Sequence, residues 1–338
     1  MNTKITDNIY ENNNELIAMT TLSHLISSKF YIATSSIFDL LYQINEWLMA
    51  GVCGAMIYGR SRIGKTTALT YIVEALHKKY GDDFPVIIWS LTEHSTNTQD
   101  KAFYANILDA IGVDITIYNR VTALELKNRV INYFSIKAAA TPFRKIVLMI
   151  DEAYKLEYKE YYWLMDIYNT LHIKYNIQLT VFLVGTPIEM LSMREAFKKD
   201  RKTQIVERFM LNDFVFKGIC SRAEITLCLA ELDKACILTG DNNNPNITLS
   251  EFFFPNAFAE EKASFLEIAG LYWEAFAEIK LKYGIETTDI PMQYFMQSFI
   301  NCLSGYGIAS NNSHFFITKE DITEAIERTG YGRTTSDY

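Results

Sequence analysis

Short apolar runs alternate with amphipathic stretches through the first two thirds of the chain. Residues 55–58, 86–89, 146–150 and 179–184 are apolar runs of strand length, and residues 67–80, 102–111, 123–137 and 159–175 carry apolar positions at helical spacing. This alternation predicts a mainly parallel sheet covered by helices on both faces, over residues 53–216. Upstream, Ile37, Leu40, Leu41, Ile44, Trp47 and Leu48 fall on one helical face. They predict an amphipathic helix over 35–50 with Gly51 as its stop, packed on the core or serving oligomerisation. The first dozen residues are polar and Asn-rich and read as poorly ordered in isolation. After Phe216 the strand signals fade. Residues 221–239 read as a helix, 240–246 as a loop, and 318–328 as a helix with Thr318 and Asp321 at capping-box spacing. The expected layout is an N-terminal segment (1–52), an α/β core (53–216) and a helical region (217–338).

Chemistry enters where the first run hands over to a helix. Gly59-Arg60-Ser61-Arg62-Ile63-Gly64-Lys65-Thr66 matches the phosphate-loop pattern G-x-x-x-x-G-K-[ST], followed by Thr67. Gly59 and Gly64 permit close backbone approach, so that successive N–H groups ring a phosphate at the positive end of a helix. Lys65 is expected to reach the β and γ phosphates of ATP, and the Thr66 hydroxyl to ligate Mg²⁺. The competing reading is a chance Gly-rich turn.

Three later features extend the site. The run Ile146-Val147-Leu148-Met149-Ile150 ends in Asp151 and Glu152, a Walker B pattern. Asp151 is expected to hold Mg²⁺ and Glu152 to polarise the attacking water. The 179–184 run ends in Gly185-Thr186-Pro187, where the Thr186 hydroxyl suits a γ-phosphate sensor, although a plain turn gives the same letters. In Glu207-Arg208-Phe209, Arg208 is the candidate arginine finger, supplied to a neighbouring subunit; Arg201 is second choice, and a surface salt bridge is the alternative.

Taken in this order, the phosphate loop, the 146–156 phrase IVLMIDEAYKL, the 182–187 phrase FLVGTP and the 207–209 phrase ERF resemble the AAA+ ATPases, and more closely transposition regulators of the TnsC, TniB and MuB type. The resemblance implies an AAA+ P-loop NTPase core with a C-terminal helical lid, slow regulatory ATP hydrolysis, and assembly as rings or filaments on duplex DNA. It also implies partnership with a transposase and a target selector. A helicase loader or replication initiator shares the same nucleotide machinery. A nucleotide-gated signalling or defence scaffold without DNA binding is a third reading. The lid stretch 301–307 lacks the second sensor arginine common in such proteins.

Composition adjusts this picture. The 338 residues are 49% hydrophobic, ample for a core, and the net charge of −8 argues against a globally basic nucleic-acid surface. Residues 193–202 nevertheless hold five basic and two acidic side chains. Lys198, Lys199 and Lys202 there, with Lys127 and Arg129, are the candidate phosphate-backbone contacts; a solvated helix face is the bland alternative. Five cysteines without a C-x-x-C pair suggest neither zinc nor disulfides, and Cys220, Cys228 and Cys236 recur at a spacing that could line a helical core face. No apolar run reaches bilayer-crossing length and no signal peptide is evident, so no membrane partner and a cytoplasmic location are expected.

Overall fold

The computed structural model describes residues 2–27, 30–91, 99–113, 121–235, 247–308, 310 and 312–333, with side chains from residue 14 onward. In chain order its first elements are α1 (Asn2–Ile26), α2 (Ser35–Met49), β1 (Gly54–Tyr58), α3 (Lys65–Tyr80), β2 (Val86–Ser90), α4 (Asp100–Ala110) and α5 (Ala123–Ala139). There follow β3 (Lys145–Asp151), α6 (Tyr158–Tyr175), β4 (Gln178–Gly185), α7 (Pro187–Lys199), α8 (Thr203–Phe209) and β5 (Asn212–Val215). The remainder is helical: α9 (Arg222–Asp233), α10 (Leu249–Phe253), α11 (Pro255–Glu261), α12 (Ala269–Tyr283), α13 (Met292–Tyr306) and α14 (Lys319–Arg328). The chain divides into two units. One comprises Ser36–Ser61 and Lys65–Phe216; the other comprises Met1–Ser35, Arg62–Gly64 and Lys217–Tyr338.

The first unit is built on a five-stranded sheet of order β2-β3-β4-β1-β5, with every pairing parallel. Central strands read as continuous apolar runs because helices cover both faces. From Ile146 to Asp151 every residue of β3 is buried, and so is every residue of β4 after Gln178. Ile107, Phe134, Leu164, Leu171 and Phe209 bring α4, α5, α6 and α8 onto this sheet. Along α2, the buried positions Ile37, Leu40, Ile44, Trp47 and Leu48 are those of the apolar stripe, and Trp47 packs against Phe182 of β4.

The sequence pattern does not reveal β5. Its residues Asn212-Asp213-Phe214-Val215 alternate between half-buried and exposed at the sheet edge, so no apolar run marks them. Pairing of Ala55–Tyr58 with Asn212–Val215 supplies what propensity does not. Beyond Pro187, α7 likewise lacks a clear stripe; only Met190 and Phe197 of it are buried.

The helical unit has its own aromatic core, in which Phe265, Tyr272, Phe276, Phe295 and Phe299 are all buried. Two expectations change here. Helix α1 runs from Asn2, where the polar composition suggests disorder; its later half is held by Ala18 and Leu25 buried in this core. The thiols do not line one helix face: Cys220 is exposed and precedes α9, whereas Cys228 is buried, its thiol pushed up to about 12 by desolvation. Cys236 and the 240–246 loop lie outside the described residues. Helix α14 opens on a complete capping box, with Thr318 Oγ1 accepting from Asp321 N–H at 3.3 Å and Asp321 Oδ2 accepting from Thr318 N–H at 2.9 Å. The 301–307 stretch is the end of α13, not a helix start. Among the described residues no helix is long and apolar enough to cross a membrane.

Candidate functional site

Backbone shape comes first. The phosphate loop leaves β1 at Gly59, where an added Cβ would lie 2.4 Å from the Phe216 carbonyl oxygen; only glycine fits. It enters α3 through Gly64 at φ +104°, a conformation closed to side chains, and through Arg62 at φ 63°. Ile63 is buried, while Ser61, Arg62, Thr66 and Thr67 are exposed. Lys65 begins α3 with its side chain buried, and its Nζ donates to the Gly59 carbonyl at 2.7 Å and the Arg60 carbonyl at 2.9 Å. Desolvation lowers the Lys65 pKa, opposed by the nearby charges of Asp151, Glu152 and Glu189.

The end of β3 brings the Walker B pair to this lysine. Thr66 Oγ1 donates to Asp151 Oδ2 at 2.7 Å, and Asp151 is only 4% exposed. A hydroxyl touching a buried carboxylate is the hard oxygen donor set that Mg²⁺ prefers, so Thr66 and Asp151 fit such an ion. Among the described residues no cluster of three or more His, Cys, Asp or Glu is placed to hold a metal. Glu152 N–H donates to Asp151 Oδ1 at 3.0 Å, and Glu152 itself sits in the left-handed region at φ 59° and ψ 38°. A non-glycine residue held there costs of order 1–3 kcal/mol, and such residues cluster at functional sites. Its carboxylate accepts from the Tyr154 hydroxyl.

At the tip of β4, Thr186 caps α7, but its hydroxyl is spent on the Glu189 carboxylate rather than on a backbone N–H. The Thr186-Pro187-Ile188-Glu189 spacing is that of a capping box, but the Thr186 side chain makes no cap bond to the backbone and pairs with Glu189 instead. Arg208, on α8, is half-buried. Its Nη1 donates to Asn169 Oδ1 at 2.9 Å, and the guanidinium lies over the Tyr168 ring, 5.1 Å from the centroid. It makes no pair with Glu207 among the described residues. Arg201, the second choice, is an exposed residue at φ 56° just past α7.

The basic candidates differ in their freedom. Lys127 is paired with Asp166, and Lys198 with Glu195 at 2.8 Å. Lys202 lies over the Tyr162 ring at 5.5 Å, and Lys199 is exposed at the end of α7. Arg129 is exposed on α5. Sequence reasoning missed Tyr154, Asn169 and Glu189, whose importance comes from what they touch.

Residues 54–193 match the model of a family described as AAA domain. No curated protein matches the chain. Among solved structures, the ORC2 protein of Aeropyrum pernix, in ADPNP-ADP complexes, is 14% identical with a TM-score of 0.48, the match covering 89% of this chain and 69% of that one. Drosophila ORC bound to DNA is 13% identical with a TM-score of 0.48, covering 93% and 66%. Cdc6p from Pyrobaculum aerophilum is 12% identical with a TM-score of 0.48, covering 78% and 60%. At such identity and overlap these likenesses assign no activity. The parallel sheet order, the phosphate loop after β1, the Asp-Glu end of β3 and the family match together identify residues 54–193 as an AAA domain with the AAA+ P-loop NTPase fold.

Proposed function

We propose that this protein is an Mg²⁺-dependent ATPase whose nucleotide state controls the joining of subunits on duplex DNA. The observation that carries the ATPase reading is the Thr66–Asp151 contact beside buried Lys65, with Glu152 next in the chain. Lys65 and the loop N–H groups would bind the phosphates. Thr66 and Asp151 would hold Mg²⁺, which when bound supplies charge to the phosphate oxygens. Glu152 would take a proton from water as the water oxygen bonds to the γ phosphorus and the bond to the bridging oxygen breaks, releasing ADP. Thr186, on turning its hydroxyl from Glu189, would hydrogen-bond the γ phosphate, and Arg208 would supply charge to a neighbouring subunit's site.

Phosphate release by the whole chain tests this reading. Hydrolysis should require Mg²⁺, vanish in Lys65→Ala, and fall by about 100-fold in Glu152→Gln while ATP binding persists. Absence of Mg²⁺-dependent release from the wild-type chain, at any protein or DNA concentration, sinks it.

The DNA context rests on the basic end of α7 and on the phrases shared with DNA-handling AAA+ proteins. The transposition-regulator reading, with its transposase and target-selector partners, has those phrases alone, since the family match stops at the AAA domain. The initiator or helicase-loader reading needs only the nucleotide machinery and DNA binding. Co-sedimentation with duplex DNA, with and without ATP, checks the shared element: an ATP-dependent shift is expected. Salt-independent ring formation without DNA would instead favour the protein-binding scaffold.

A further inference from the structure

The oxygen of Glu152 that Tyr154 engages has a second positive neighbour. Tyr154 Oη donates to Glu152 Oε2, and Lys155 Nζ stands 3.8 Å from that same oxygen. The other oxygen, Oε1, has no hydrogen-bond partner among the described residues. Both donors come from the single 3₁₀ turn Ala153–Lys155 that Glu152 caps in its left-handed conformation. One turn therefore supplies both contacts to Oε2 and none to Oε1.

Tyr154 is itself placed by the neighbouring strand end. Gly185 closes β4, and a Cβ there would come within 3.1 Å of Tyr154 Cδ1, so the ring lies directly against the glycine that precedes Thr186. Burial is the largest cause raising the Tyr154 pKa far above the usual phenol, followed by the bond to Glu152. Both effects favour the neutral, donating form of the hydroxyl. The ring thus belongs to the Walker B turn and rests on the strand tip.

From this geometry we propose that Tyr154 is a positioning residue for the hydrolytic step, anchoring Oε2 of Glu152 so that Oε1 is the oxygen that receives the proton of the attacking water. A general base must be held within hydrogen-bond reach of its proton, and a carboxylate with one oxygen tethered has far fewer orientations to search. The inference rests on Glu152 being the base, and it deepens that reading.

The test compares four chains: wild type, Tyr154→Phe, Glu152→Gln and the double variant, each assayed for kcat, for KM and for binding of a fluorescent ATP analogue. Phenylalanine keeps the ring against Gly185 and removes only the hydroxyl. Tyr154→Phe should lower kcat by about ten-fold with KM and analogue binding unchanged, because the hydrogen bond it removes acts on a charged group after binding. In the Glu152→Gln background the same change should have no further effect. Equal slowing in both backgrounds, which general damage to the fold would give, overturns the proposal, as does an unchanged kcat in Tyr154→Phe. If Glu152→Gln itself leaves kcat intact, the base reading fails, and that outcome is separate from the behaviour of Tyr154→Phe in the wild-type background.

Discussion

Thr66 Oγ1 and Asp151 Oδ2 stand 2.7 Å apart, joining the first turn of α3 to the end of β3 across 85 residues of chain. Removing either partner should separate ion binding from nucleotide binding. In Thr66→Val and Asp151→Asn, the extra affinity that Mg²⁺ confers on ATP should be largely abolished, while affinity in chelator stays near wild type. Titration calorimetry with and without Mg²⁺ reads the difference. Full Mg²⁺ enhancement in both variants would remove these residues from the metal site.

Arg208 is held at home by Asn169 and Tyr168. If it serves a neighbour's nucleotide, Arg208→Ala should hydrolyse poorly yet bind ATP normally. Mixing in Lys65→Ala subunits, which retain Arg208, should restore part of the rate. Without restoration at any mixing ratio, the trans role fails.

Gly59→Ala forces a methyl to within 2.4 Å of a backbone oxygen that is fixed by the Phe216 N–H bond to the Tyr58 carbonyl at 2.8 Å. The clash is with main chain, so it cannot be relieved by a rotamer change. Denaturant unfolding should show a destabilisation of about 1–3 kcal/mol, accompanied by weaker ATP binding.

Thr318→Ala removes the acceptor of the α14 capping box. A destabilisation of about 1 kcal/mol is expected in the unfolding of the helical unit, with ATP hydrolysis by the whole chain largely retained. An unchanged melting curve would show that Asp321 caps the helix alone.

Charge reversal at Lys198, Lys199 and Lys202 should weaken DNA binding. It should also reduce the slope of log affinity against log salt by about one for each phosphate no longer neutralised. Lys127→Glu, by contrast, first breaks a pair with Asp166, so its effect should include reduced stability.

Much of the nucleotide site is legible in the letters because glycines, the lysine and the Asp-Glu pair stand at fixed spacings beside apolar runs. Central strands are equally legible, since burial on both faces demands continuous apolar residues. What escapes is whatever depends on pairing or touching across the fold. Strand β5 has no apolar run and exists through its ladder with β1. Tyr154, Asn169 and Tyr168 are ordinary helix or turn letters until Glu152 and Arg208 are found against them. The later half of α1 packs through Ala18 and Leu25, a tertiary fact no composition rule contains.

The sheet order places the first strand of the core between its last two, β4 and β5. During synthesis β1 and the loop it carries therefore emerge long before either hydrogen-bonding neighbour exists. The ATP-binding loop has no finished platform until Gln178–Gly185 is made, and Gly59 has no Phe216 carbonyl to abut until the core is all but complete. ATP thus cannot guide the early folding of the nascent core; it can reward only the finished one, and ribosome-bound fragments ending before β4 should show no ATP protection from protease.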